Sequence, residues 1–114
     1  MTFIAMNRFQ VKPGHETEFE RMWAERRSRL GEVPGFREFR LLKGPEGAGY
    51  RLYSSHVLWD SRAAFEGWTK SEQFRDSHRN AGQQATRDAM IGPPQFEGFE
   101  TVLVEGRDAA GGTE

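Results

Sequence analysis

The residues able to do chemistry gather in two short stretches. One is "MNRF" at positions 6–9, and the other is "WDSRAAFEGWTKSEQFRDSH", from Trp59 to His78. In the second stretch Ala64, Phe65, Trp68 and Phe74 are apolar, and His78 falls one helical turn after Phe74 on the same face. A neutral imidazole there is a candidate metal ligand, and Trp68 offers a flat indole nearby. Asn7 stands between Ala5 and Phe9 on a strand face that is otherwise apolar, and Arg26 interrupts the apolar stripe of the first helix. A buried amide or guanidinium without a partner costs a few kcal/mol, so each needs a hydrogen-bond partner, water or a ligand. Each also has a structural alternative. Asn7 would bond a neighbouring loop, Arg26 would snorkel to water, and His78 would cap a carbonyl. Taken singly, such residues are more often structural than functional. Around one aromatic-lined space, Asn7, Trp68 and His78 together point to a ligand site. His15, at an exposed helix start, and His56, isolated in mid-strand, have no such company. No second ligand stands at helical spacing from His78, which argues against direct binding of zinc or nickel.

The elements must bring these residues together. Ten residues at 100° each set Trp68 and His78 about 80° apart in azimuth and about 15 Å apart along one unbroken helix. Ser71 followed by Glu72 is a fresh helix-start signal, however. A break at Thr69–Lys70 would begin a second short helix carrying Phe74 and His78, and the indole and imidazole would then approach one cavity from different sides.

Upstream, residues 2–11 alternate as a strand, with Phe3, Ala5, Asn7, Phe9 and Val11 on one face and Ile4, Met6, Arg8 and Gln10 on the other. "KPGHETEFE" breaks the strand and places glutamates at the positive end of a helix, expected to run to about Leu30 and stop at Gly31. Its buried stripe reads Phe19, Met22, Trp23, Arg26 and Leu30, and Glu25–Arg29 is an i,i+4 pair on the wet side. Strand-like runs follow at 36–43 and 50–59, joined by "GPEGAG" as a hairpin loop. The Trp59–His78 stretch comes next, then a loop over 79–94 and a last strand, "QFEGFETVLV", over 95–104. The tail, residues 105–114, has nothing to pack with and is expected to be disordered.

This order, βαββαβ, predicts an α+β ferredoxin-like domain over residues 1–104: an antiparallel sheet with both helices on one face. The uncovered face still carries Ile4 and Met6, which predicts a homodimer packed sheet to sheet as a dimeric α/β barrel. With 16 basic and 17 acidic residues, no field draws the chain to nucleic acid or an anionic membrane. The absence of cysteine excludes disulfides, thiolate metal sites and cysteine nucleophiles. With no signal-like apolar core or transmembrane-length run, a cytoplasmic protein is expected.

"MNRF" together with Trp59, Ser61, Ala64-Phe65, Trp68, Lys70-Ser71, Phe74 and His78 resembles the IsdG-type haem-degrading monooxygenases, small dimeric ferredoxin-like members of the antibiotic-biosynthesis-monooxygenase superfamily. The resemblance covers about residues 1–104, and its specific part is the triad Asn7, Trp68 and His78. Fold-level likeness alone carries little function. The resemblance implies that His78 is the one protein ligand to haem iron, that Trp68 presses the porphyrin out of plane, and that the Asn7 amide addresses oxygen or water on the open side. Haem is then substrate and oxygen-activating cofactor, and the ring is opened by O2 to a bilin-type product with release of iron. Electrons come from an external reductant or reductase, since no flavin or nucleotide site is evident. Arg26, with Arg27 beside it, is a candidate contact for the haem propionates, on charge and placement. The alternatives are a cofactor-free monooxygenase of the superfamily acting on an aromatic or quinol substrate, which would not need His78, a non-catalytic haem-binding protein, and a dimeric domain without chemistry.

Overall fold

Alternation of large apolar and polar residues makes residues Phe3–Val11 a strand (β1), with Phe3, Ala5, Phe9 and Val11 buried and Arg8 and Gln10 exposed. The molecule is a computed structural model that describes residues 1–25, 29–72, 74 and 87–106. β1 lies inside a four-stranded sheet of order β2-β3-β1-β4, where β2 is Phe36–Gly47, β3 Tyr50–Trp59 and β4 Gln95–Glu100. Every pairing is antiparallel. With helices α1 (Glu16–Glu25) and α2 (Arg62–Thr69), this is the ferredoxin-like arrangement expected from the element order.

The Glu16 carboxylate accepts from the Gly14 backbone N–H at 2.8 Å where α1 starts. This helix does not continue unbroken to Leu30 with a stop at Gly31. Arg29 is not helical (φ −101°, ψ 22°), and Leu30–Glu32 form a 3₁₀ turn. The tighter winding eclipses residues three apart, so Leu30 and Val33 both enter the core. Arg29 bonds Glu32 at 2.9 Å rather than Glu25.

The β2–β3 connection is also tighter than a six-residue loop. Both strands run to a two-residue turn at Ala48 and Gly49, where Gly49 has φ +84°. A bulge between Lys43 and Glu46 takes up Pro45, which has no N–H for the ladder. β4 is shorter than expected, ending at Glu100 instead of Val104. Phe3 pairs with Glu100, and Thr101 N–H donates to the Thr2 carbonyl. β1 itself begins at Phe3, and Val102 and Leu103 are exposed.

The covered face holds two apolar clusters. One joins Phe3, Ala5, Leu30, Val33, Trp59 and Trp68, and the other Phe9, Val11, Phe19, Tyr53, Ala89 and Met90. Ala89 and Met90 fall in the stretch read from sequence as loop. Met90 bridges Val11, and Ile91 N–H donates to the Gln10 carbonyl at 2.7 Å, so this segment closes one end of the core. On the opposite face Ile4, Met6, Leu52 and Leu58 are half-buried, and Leu42 and Phe99 are exposed. No described helix is long and apolar enough to cross a membrane.

Candidate functional site

Between the covered sheet face and the helices is a cavity of about 340 Å³. Its floor is made by neighbouring strands. Asn7 pairs across the sheet with Ser55 of β3 on one side and Phe96 of β4 on the other. All three line the cavity. Asn7 therefore lies centrally on the floor because β1 is an inner strand and position 7 belongs to its inward set.

Trp68 comes from the last turn of α2, whose N-terminus is capped by the Ser61 hydroxyl accepting from Ala64 N–H at 3.1 Å. The expected break is present: α2 ends at Thr69, and Lys70 leaves helical geometry. Ser71 then serves both segments. Its hydroxyl donates to the Trp68 carbonyl at 2.7 Å and accepts from Phe74 N–H at 3.1 Å. This turns Phe74 edge-on to Trp68, with ring centroids 5.2 Å apart, and both line the cavity. Trp68 also packs on Trp59 at 6.0 Å. Elsewhere in the wall Phe65 stacks on Phe96 at 5.5 Å and Trp23 on Phe39 at 5.5 Å.

Of the residues singled out from sequence, Asn7 and Trp68 thus meet in one cavity. His78 and Arg26 lie outside the described residues, as does Arg27. Sequence reasoning missed Ser55, Trp59, Phe65 and Phe96 as lining residues. Ser55 carried a usable signal. It is the polar member of the inward set Tyr53, Ser55, Val57 and Trp59, as Asn7 is of its own strand.

Among the described residues, no acidic, basic or histidine side chain lines the cavity. The described residues hold no group of three or more His, Asp or Glu that could bind a metal ion. Among the described residues the site is therefore a neutral aromatic chamber with a few polar atoms, suited to a flat apolar ligand. The buried Trp59 Nε1 has no hydrogen-bond partner among the described residues. A smaller hollow of about 260 Å³, beside Arg8 and Tyr50, contains none of the candidate residues.

Ionisable chemistry sits elsewhere. The Tyr53 hydroxyl donates to Glu20, and Lys43 approaches the same carboxylate at 3.0 Å. That hydrogen bond, then Lys43, holds the Glu20 carboxyl below the usual carboxylate range, while burial pushes the Tyr53 hydroxyl up. Neither Glu20 nor Tyr53 lines the cavity.

Residues 2–80 match the antibiotic biosynthesis monooxygenase family. A heme oxygenase (staphylobilin-producing) of Staphylococcus saprophyticus is 25% identical over 89 residues, covering 78% of this chain and 85% of that protein. The heme-degrader MhuD of Mycobacterium tuberculosis, solved with two hemes bound in its active site, superposes with a TM-score of 0.70 at 26% identity. That match covers 91% of this chain and 99% of MhuD. SnoaB of Streptomyces nogalater, a cofactor-independent oxygenase, shares the fold with a TM-score of 0.64 at 22% identity over 90% of this chain and 95% of that one.

Proposed function

The chain belongs to the antibiotic biosynthesis monooxygenase family, and from that premise we propose that it is a haem-degrading monooxygenase. The observation that carries the reading is the neutral aromatic cavity with Asn7 on its floor and Trp68 in its wall. The kinship with a heme oxygenase and a heme-degrader supports it.

The residues present fit a porphyrin. The cavity's apolar, aromatic walls would accept the porphyrin faces. When bound, haem supplies the iron that activates O2 and the ring that is oxidised. In this reading the His78 imidazole is its single protein ligand. Trp68 is braced by Trp59 and Phe74, so a ring pressed on it must itself deform. The Asn7 amide would donate a hydrogen bond to a small oxygen ligand at the site, and Arg26 would pair with a propionate. The aromatic walls exclude bulk water from the reacting ring. Electrons come from an external reductant, the product is a bilin-type pigment, and iron is released. The working form is a cytoplasmic homodimer with one site per protomer, residues 1–104 forming the domain; residues 107–114 lie outside the described residues.

A second reading has its own support: an aromatic cavity with a few polar atoms would equally take an aromatic or quinol substrate for cofactor-free oxidation. One experiment separates them. Haemin added to the protein should give a Soret band shifted and sharpened from that of free haemin, and ascorbate with catalase should then bleach it as a bilin-type absorbance grows. A Soret band identical to free haemin would favour the cofactor-free oxygenase, and a shifted band stable under reductant would leave only a haem-binding protein.

A further inference from the structure

Ser55 is 3% exposed, lines the cavity and lies directly across the β1–β3 ladder from Asn7. Neither its hydroxyl nor the Asn7 amide makes a hydrogen bond to the described residues. Side chains opposite each other on one face of antiparallel strands have Cβ atoms about 5 Å apart. Two short polar groups at that spacing reach one small acceptor between them. Both side chains open onto the cavity, where a ligand atom can take up their free hydrogen-bonding capacity. The rest of the floor is lopsided: on the β4 side of Asn7 stands Phe96, held flat against Phe65.

We propose that Ser55 is a second polar contact of the site, donating with Asn7 to one small oxygen or anion on the sheet side of the ligand. The polar pair then lies toward β3 and an aromatic wall toward β4, so an acceptor held there is drawn toward Ser55. This deepens the haem reading and rests on it. In that reading Ser55 works beside Asn7 on the side of the ring away from His78, and it biases which edge of the ring faces the acceptor.

The test uses haemin-loaded protein and azide, an anion that binds ferric haem on its open side and accepts hydrogen bonds. Azide affinity is read from the Soret shift in wild type, Ser55→Ala and Ser55→Thr. Ser55→Ala should keep haemin bound and weaken azide about 5- to 10-fold, the effect of losing one hydrogen bond. Ser55→Thr keeps the hydroxyl and should return the affinity to within about twofold. Unchanged azide affinity in Ser55→Ala, with the Soret band intact, would overturn the role of Ser55 and leave the haem reading standing. A Ser55→Thr as weak as Ser55→Ala would assign the loss to packing and overturn it too. A wild-type protein that leaves the Soret band identical to free haemin would remove the haem reading and this inference together.

Discussion

At the scale of single residues, the haem reading assigns work to groups that do not substitute for one another. Asn7 is a short amide on a rigid inner strand, so its loss removes a hydrogen bond and little packing. Asn7→Ala should leave haemin bound but slow degradation about 10²-fold, as expected for one preorganised donor. Trp68 is buried against Trp59 and Phe74, so Trp68→Ala removes the surface that the ring would press on. It should bind haemin with a more planar signature in resonance Raman spectra. His78→Ala should change the ferric Soret spectrum and stop turnover. Identical spectra and rates for wild type and His78→Ala would break the haem assignment at its most specific point. Glu20 provides a control that does not line the cavity. Its folded pKa is lowered, first by the Tyr53 hydroxyl. Its contribution to stability is therefore present above the unfolded pKa, about 4, and is lost as pH falls through the lower folded value. Tyr53→Phe should accordingly lose more stability near pH 7 than near pH 2, measured by urea unfolding. An equal loss at both would refute the coupling.

At the scale of elements, the break after α2 is what gives the cavity its corner. Ser71 ends one helical segment and starts the next with a single hydroxyl. Ser71→Ala should cost about 1 kcal/mol in urea unfolding, the usual loss for a helix cap. It should also weaken haemin binding several-fold, because Phe74 is no longer fixed against Trp68. Haemin affinity equal to wild type would show that packing alone holds that corner. The first helix makes the complementary point. The 3₁₀ turn that follows it at Leu30–Glu32 seats Leu30 and Val33 together, and Leu30 lines the cavity.

At the scale of the whole molecule, the two faces of the sheet differ in kind. One is covered by helices and holds the cavity. The other presents Ile4, Met6, Leu52, Leu58, Leu42 and Phe99 with no described element over them. An open apolar face of this breadth is costly in water, and a second copy would bury it without touching the cavity. Sedimentation should therefore give a dimer at micromolar concentration, and Met6→Glu, placing a charge on that face, should shift it toward monomer with the fold intact. A wild-type monomer under those conditions would rule out the sheet-to-sheet dimer.

The sequence by itself determined the strand-helix-strand-strand-helix-strand order, the faces of β1, the break near Lys70 and the position of Asn7 among inward residues. These are local matters of periodicity, capping and turn chemistry, settled within a few neighbours along the chain. It did not determine that Leu30–Glu32 wind as a 3₁₀ turn, how tight the β2–β3 turn is, where β4 stops, or that Ala89 and Met90 belong to the core. Each of these depends on a partner distant in sequence: Leu30 and Val33 enter a core shared with Phe3, Trp59 and Trp68, and β4 pairs only along the length of β1. The same holds for the site. Asn7 and Trp68 were legible as odd residues, but Ser55 and Phe96 became part of the cavity only through strand register. Hydrogen bonding between strands alone decides which residue stands opposite which.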